Sequence, residues 1–339
     1  MAEKIKRVNY FTPKKKALIS EENKNLYDKY LRSNIVKNRD VKDTTYKVYK
    51  NNMEHFMVYL AEEWDNIGLY SDELIENAVD IMEGYMMFCQ EVLHNHKKTI
   101  NNKIAAVSSF YLWSMKRGLI ESHPFDRKLD RMKGANEERI ISDYFLNDEQ
   151  IREIRRGLLD DKKYDMQDRL IWEIMLDSCN RVGAIEKLTL SSLDLENMMF
   201  TDIREKRGYH VEVAFTENTK DLIEEWLEMR KEMDNLEVDA LFITKYGGEY
   251  RPMSVSTIKD RVKKIGYILG IDDFRSHCIR KTALNNIYEK TNNIELAANM
   301  ANHKEISTTF NHYIRPKSKA EVRDKIKEVM EQMNDSKEE

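Results

Sequence analysis

Three cysteines, four prolines and eleven glycines in 339 residues leave no room for a disulfide framework, a collagen repeat or a linker-rich chain. Cys89, Cys179 and Cys278 stand about ninety or more residues apart and each is isolated. That spacing predicts reduced thiols and a cytoplasmic protein. No run of ~18 uncharged apolar residues occurs, so no membrane span is expected. The opening MAEKIKRVNYFTPKKK has charge but no apolar core behind it, and is not expected to act as a secretory signal. A surplus of one charge is also missing. With 56 basic and 60 acidic residues the net charge is −4, which by itself points to no polyanionic partner.

Aromatic residues, by contrast, are plentiful. Seventeen tyrosines, eleven phenylalanines and four tryptophans, in a chain 41% hydrophobic, predict ordered cores and argue against wholesale disorder. The length fits two or three domains. The near-neutral sum also conceals a gradient. Residues 1–50 hold 14 basic and 6 acidic side chains, residues 51–100 hold 2 and 10, and residues 101–134 hold 7 and 3. Such asymmetry suits a surface used on a polyanion, and it equally suits a solvated helix face.

The periodicity is mostly helical, with one small β region. Tyr46, Tyr49, Met53, Phe56 and Leu60 follow helical spacing behind a cap at Asp43 or Thr44. Ile75, Val79, Met82 and Met86 predict a helix over Leu74–Val92. Ile100, Ile104, Val107 and Tyr111 predict another from Thr99 to Arg117, stopped by Gly118. These stripes read as core. Lys97, Lys98, Lys103, Lys116 and Arg117 lie on or beside the last of these helices and are candidate nucleic-acid contacts. His123-Pro124 and the charged stretch around Gly134 place a domain boundary at about 125–140.

Beyond it, Leu146-Asn147-Asp148-Glu149 is a helix start, and Asp168–Cys179 a further helix. Met199–Arg204 and the alternating His210–Phe215 predict a hairpin, with Ala240–Thr244 as a possible third strand. Helices resume from Ser254 to about Met333. The last, Lys317–Met333, carries an apolar stripe of Ile326, Val329, Met330 and Met333. The expected fold is therefore mainly α with a small β-sheet.

Gly-rich phosphate loops, CxxC pairs and HExxH are all missing. His94-Asn95-His96 reads as a polar loop, since it lacks accompanying cysteine or carboxylate ligands. What remains is a dispersed basic set: Arg181 just after an apolar helix, Lys206 at the hairpin tip, His277 and Arg280 three apart on one helical face, and His303 followed by Tyr313.

That order and its local context resemble the catalytic domain of tyrosine recombinases, the phage integrase family. Arg181 is followed by Leu188 and Ser191-Ser192-Leu193-Asp194. Ser276-His277-Cys278-Ile279-Arg280-Lys281-Thr282 resembles the family's H-x-L-R-H-T/S box. Asn302-His303, Ile306 and Thr308-Thr309 resemble its G-H-x-x-I-x-T-T segment. Thr99-Ile100-Asn101 through Arg117-Gly118-Leu119-Ile120, then His123-Pro124-Phe125, is similar to the last helix and exit of the family's core-binding domain. The resemblance covers roughly residues 35–315.

It implies a helical core-binding (SAM-like) DNA-binding domain at 35–130 and a tyrosine-recombinase-like catalytic domain at 140–333; the charge pattern adds a basic N-terminal arm at 1–34, whose opening Lys4–Lys16 reads as an arm on DNA or as disordered chain, and an acidic tail at 334–339. The resemblance also implies site-specific DNA cleavage and rejoining without metal or other cofactor, in phage or mobile-element integration or excision. Arg181 and Arg280 would clamp the phosphate, because guanidinium forks hold developing charge at any relevant pH. Tyr313 would attack phosphorus and form a 3′-phosphotyrosine. Lys206 would protonate the departing 5′-oxygen, His277 would serve as acid/base, and His303 would brace the phosphate. Lys281 joins the candidate DNA contacts. The implied partner is double-stranded DNA, with self-association on it.

Four positions depart from the family pattern. Ala184 stands where an acidic residue is usual three places after the first arginine. Cys179-Asn180 replaces Gly-Leu before that arginine, and Asn302 replaces the glycine before His303. The family's tyrosine lies nine residues after that histidine, whereas here position nine is His312 and Tyr313 is tenth. One helical residue is a rotation of ~100°. Two readings therefore stand: a recombinase acting as a tetramer, or a catalytically silent DNA-binding regulator such as a phage lysogeny repressor, acting as a dimer or monomer.

Overall fold

A computed structural model describes residues 10–37, 43–135, 144–205, 209–233, 236–316 and 318–335. The chain divides into two compact units, Met1–Arg139 and Ile140–Glu339. Both are built mainly from helices, with small sheets in the second only among the described residues.

The first unit holds helices α1 (Pro13–Ala17), α2 (Glu21–Lys37), α3 (Asp43–Glu63), α4 (Asp72–Glu76), α5 (Ala78–Glu91) and α6 (Lys97–Lys116). The spacing of apolar residues explains which face each helix buries. On α3, Met53, Phe56 and Leu60 are buried, and on α6 Ile100, Ile104, Val107 and Tyr111 are all buried against them. Tyr27, Tyr30, Phe110 and Trp113 form an aromatic cluster with edge-on and tilted contacts. The helix expected over Leu74–Val92 is two helices. Ser71 caps α4 by accepting from the Leu74 N–H, while the Asn77 side chain donates to the Glu73 carbonyl and interrupts the run. Helix α6 ends as expected, with Gly118 at φ +67° in the left-handed region.

One expectation fails here. The segment 1–34, expected as a basic arm on DNA or as disordered chain, is from Tyr10 onward part of this unit. Helix α2 buries Tyr27, Tyr30 and Leu31, Lys15 and Lys16 pair with Glu62 and Glu54, and the Tyr10 hydroxyl donates to Glu62. The aromatic residues of this segment outweigh its charge. The residues before Tyr10 lie outside the described ones, as does the end of the acidic tail.

The second unit holds α7 (Asp148–Asp160), α8 (Met166–Ser178), α9 (Val182–Ile185), β1 (Leu193–Asp194), β2 (Met199–Arg204), β3 (His210–Ala214), α10 (Glu217–Lys231), β4 (Ile243–Tyr246), β5 (Glu249–Pro252), α11 (Val255–Gly266), a 3₁₀ turn (Tyr267–Leu269), α12 (Ser276–Thr291), α13 (Ile294–Met300), α14 (Ile306–Tyr313) and α15 (Lys319–Asp335). Helix α8 is central and packs against α7, α10, α11 and α12. Its start is fixed by a capping box between Asp165 and Asp168. Asp168 is also buried and receives Arg261 at 2.9 Å and Lys264 at 3.4 Å. A Cβ at Gly266 would lie 2.1 Å from the Phe274 Cβ, so glycine there lets α11 close onto the core.

Strands β1, β2 and β3 form an antiparallel sheet in that order. Phe200, Ile203, Val211 and Val213 point into the core, and the register shifts between Phe200 and Ile203, where Asp202 has φ +58°. The third strand expected at Ala240–Thr244 lies elsewhere. Ala240 makes an isolated bridge to Thr189, and Ile243–Tyr246 pairs with Glu249–Pro252 as a separate hairpin. Gly247 and Gly248, both at positive φ, make its two-residue turn.

Candidate active site

Two backbone stops and one packed helix trio build the site. Helix α8 ends on Cys179, held in the left-handed region at φ +55°. The chain turns sharply and offers Arg181 as the N-cap residue of α9. Helices α12, α13 and α14 pack on one another, with Cys179, Ala283, Leu284, Ala297, Ala301 and Tyr313 forming a small core of their own. His277 and Arg280 lie in the first two turns of α12, His303 in the connection between α13 and α14, and Tyr313 at the end of α14.

Arg280 is 1% exposed and is anchored from several sides. Nη1 donates to the Cys179 carbonyl, and Nη2 donates to the Ala301 carbonyl at 2.7 Å. Nη2 also lies 3.1 Å from His303 Nε2. Guanidinium can only donate, so Nε2 accepts and the ring proton sits on Nδ1, which faces Thr309 Oγ1 at 2.8 Å. Burial, reinforced by the charges of Arg280 and Arg181, pushes His303 down to about 4. It is therefore a neutral bracket for Arg280 near neutral pH. Burial also lowers Arg280 from its ordinary value. Its Nε–H is buried with no hydrogen-bond partner among the described residues, while the nearby Tyr313 hydroxyl favours its charged form.

Tyr313 closes this pocket. The Arg280 guanidinium carbon lies 5.2 Å from the ring centroid, and the His303 and His277 rings lie at 4.7 and 5.0 Å. Thr309 and Tyr313, four apart on α14, share the inward face and are both buried, whereas His312 is exposed. Tyr313, one residue beyond the family spacing, thus lies on the buried face of α14 while His312 does not. Two further departures have a backbone explanation. Cys179 and Asn302 occupy the usual glycine positions and both have positive φ, at +55° and +52°. Asparagine is among the residues that tolerate this region best, whereas cysteine is not.

Arg181 is half-exposed, and its Nη1 contacts Glu205 Oε2 at 3.1 Å. Sequence reasoning missed Glu205, and no local pattern marked it. Thr309 stood inside the quoted Thr-Thr pair without an assigned task. Lys206 lies outside the described residues. Arg181, His277, Arg280, His303 and Tyr313 all belong to the second unit.

The candidate DNA contacts divide. Lys98 and Lys116 are exposed and Lys97 is half-buried. Arg117 lies over the Trp113 ring at 5.0 Å and donates to Ser33, and Lys281 lies over the Phe145 ring at 5.6 Å. Lys103 is corrected: at 4% exposure, with Nζ 2.7 Å from His55 Nδ1, it faces the interior and not a groove. Near the His-x-x-Arg box in sequence, Arg261 and Lys264 pair with Asp165 and Asp168, so these two cations are structural. Among the described residues no group of three His, Cys, Asp or Glu side chains could hold a metal ion, and no helix is long and apolar enough to cross a membrane.

Comparison with known proteins shows the family and the fold. A model described as the phage integrase family matches residues 144–320. Tyrosine recombinase XerC of Corynebacterium efficiens is 25% identical over 214 residues, 63% of this chain and 66% of that protein. The match thus spans just under two thirds of that relative. XerC of Pseudomonas putida is 23% identical over 278 residues, covering 80% of this chain and 85% of its own length. Among solved structures, a Tn1549 transposon integrase in complex with circular intermediate DNA aligns with TM-score 0.63 at 16% identity, over 88% of this chain and 98% of that one. A lambda integrase dimer bound to a COC′ core site aligns with TM-score 0.63 at 14% identity, over 87% and 98%. Both share the fold.

Proposed function

Because the chain belongs to the phage integrase family, we propose that it cuts and rejoins DNA at specific sites through a 3′-phosphotyrosine on Tyr313. The observation that carries this reading is the gathering of Arg280, His277 and His303 around the Tyr313 ring, with the Arg280 Nε–H buried and without a partner among the described residues. A buried donor without an acceptor is costly and calls for a missing partner, and a phosphate oxygen is such a partner.

In this scheme the Tyr313 oxygen attacks phosphorus as its proton passes to His277. The tyrosyl O–P bond forms, the P–O5′ bond breaks, and Lys206 protonates the departing oxygen. Arg181 and Arg280 hold the charge gathering on the non-bridging oxygens. His303 braces the phosphate through Arg280, since its Nε2 already accepts from that side chain. Attack by another 5′-hydroxyl reverses the step on a new strand. No metal or cofactor has a task in the scheme.

The substrate is double-stranded DNA, in integration or excision of a phage or other mobile element, with exposed Lys98, Lys116 and Arg117 as phosphate contacts of the first unit. Assembly on DNA is supported by α15, on which Val322, Ile326 and Met330, four residues apart, are all exposed.

The second reading, a regulator that binds without cutting, is favoured by one observation: both Nη groups of Arg280 are already satisfied by protein, and Tyr313 is 6% exposed. Nicked duplexes carrying the protein's binding site separate the two. The recombinase forms a covalent adduct that Tyr313→Phe abolishes. Specific binding without adduct leaves the regulator.

A further inference from the structure

The site contains two cations with different supports. Arg280 is fixed by two carbonyls and a histidine, whereas the side chain of Arg181 is half-exposed and meets the carboxylate of Glu205. Glu205 is not a casual surface partner. It directly follows β2, and its side chain is only 9% exposed. Its backbone N–H is held by the Tyr209 carbonyl at 2.6 Å. Oε2 takes Arg181 Nη1 at 3.1 Å, and Oε1 is buried without a hydrogen-bond partner among the described residues. A carboxylate so placed gives up solvation, and its compensation among the described residues is the guanidinium.

On the arginine side, the Arg181 backbone is fixed as the N-cap of α9, where its carbonyl accepts the Ala184 N–H at 2.8 Å. The side chain beyond it has several rotatable bonds, and leaving them free would cost alignment when a phosphate arrives. Helix α9 itself offers no carboxylate at position 184, which is a buried alanine. The charge of Arg181 is felt at both Arg280 and His303. A fixed negative charge beside it offsets the repulsion between two guanidiniums before any phosphate lies between them.

We propose that Glu205 is a positioning residue for the reaction: from the end of β2 it holds one edge of Arg181 so that the other edge meets the scissile phosphate. The inference rests on the recombinase reading above. It gives Glu205 no contact with substrate and no proton to move. Its contact engages one Nη and leaves the rest of the fork for phosphate oxygens, unlike a carboxylate that merely occupies the phosphate's place.

The test uses the full chain on nicked duplexes, measuring adduct rate and DNA affinity separately. Glu205→Gln keeps the shape and removes the charge. The expected result is an adduct rate lower by about 10-fold or more, with DNA affinity unchanged or slightly higher because a negative charge has gone. Glu205→Asp should fall between. On a duplex with a methylphosphonate at the scissile position, where one non-bridging oxygen is a methyl group and the phosphate charge is gone, the gap between wild type and Glu205→Gln should shrink. A merely structural role would lower affinity and rate together and equally on both duplexes, which would overturn the proposal. So would a faster adduct with Glu205→Gln, the mark of a carboxylate competing with phosphate. Absence of any adduct from wild type overturns the recombinase reading itself, and the role of Glu205 falls with it.

Discussion

Each unit buries a cation against a histidine and covers the pair with an aromatic ring. In the first, Lys103 Nζ lies 2.7 Å from His55 Nδ1, and Phe11 stacks on the imidazole with ring centroids 3.5 Å apart. In the second, Arg280 Nη2 lies 3.1 Å from His303 Nε2, and Tyr313 closes the pocket. Burial and the neighbouring cation lower both histidines, His55 to about 3 and His303 to about 4. A depressed histidine beside a buried cation is therefore no mark of chemistry. The difference lies in what else faces the pair. Phe11 supplies no nucleophile, whereas the second pocket has a tyrosine hydroxyl, a guanidinium N–H with no partner among the described residues and a second arginine whose charge reaches it.

The strongest way to break this comparison is to remove each cation in turn. Arg280→Met leaves the Cys179 and Ala301 carbonyls buried without their donor and removes the phosphate clamp. The expected outcome is loss of adduct by about 1,000-fold and destabilisation of about 3 kcal/mol in urea unfolding. Lys103→Met exchanges a desolvated ammonium for a chain of similar length, and stability should stay within about 1 kcal/mol of wild type with adduct rate unchanged. Comparable losses from both substitutions would erase the distinction.

Acid should act on the two pockets alike. Each histidine is neutral when folded and gains a proton near its ordinary value, 6.5, when unfolded. Their contribution is complete above about 6.5 and declines as pH falls toward about 4, by at most about 1.4 kcal/mol per pH unit for each histidine. Unfolding followed from pH 7 to 4 should show this slope, and His55→Gln and His303→Gln should each flatten it. A slope untouched by either substitution would mean that other groups govern acid unfolding.

The smallest effect is confined to the second pocket. Asn302 is exposed and has φ +52°, so Asn302→Gly should raise stability by about 0.5 kcal/mol, read as a small increase in Tm. A decrease would show that the asparagine side chain supports the turn.

Much of this was legible in the sequence because local rules govern it. The helical stripes of α3 and α6, the alternation of β3 and the stop at Gly118 follow from periodicity and backbone freedom alone. The site's members were legible through their order, and Arg280 with His277 through their spacing. Three things were not. Lys103 reads as a surface cation by composition, and its interior partners, His55 and the Phe11 ring, lie far away in sequence. The arm became a helix because Tyr27, Tyr30 and Leu31 find a core whose other half lies beyond residue 50. Glu205 meets Arg181 only because a hairpin folds back across 24 positions, and no period records that.

The turn after His303 has a consequence for how chain length bears on the site. Residues 304–307 are exposed, while Thr309 and Tyr313 lock one face of α14 inward. An added or deleted residue in that turn changes the length of a loop without turning the helix that follows. Distance along the chain from His303 and the aim of Tyr313 are thus set by different segments, the first by the exposed turn and the second by the buried face of α14.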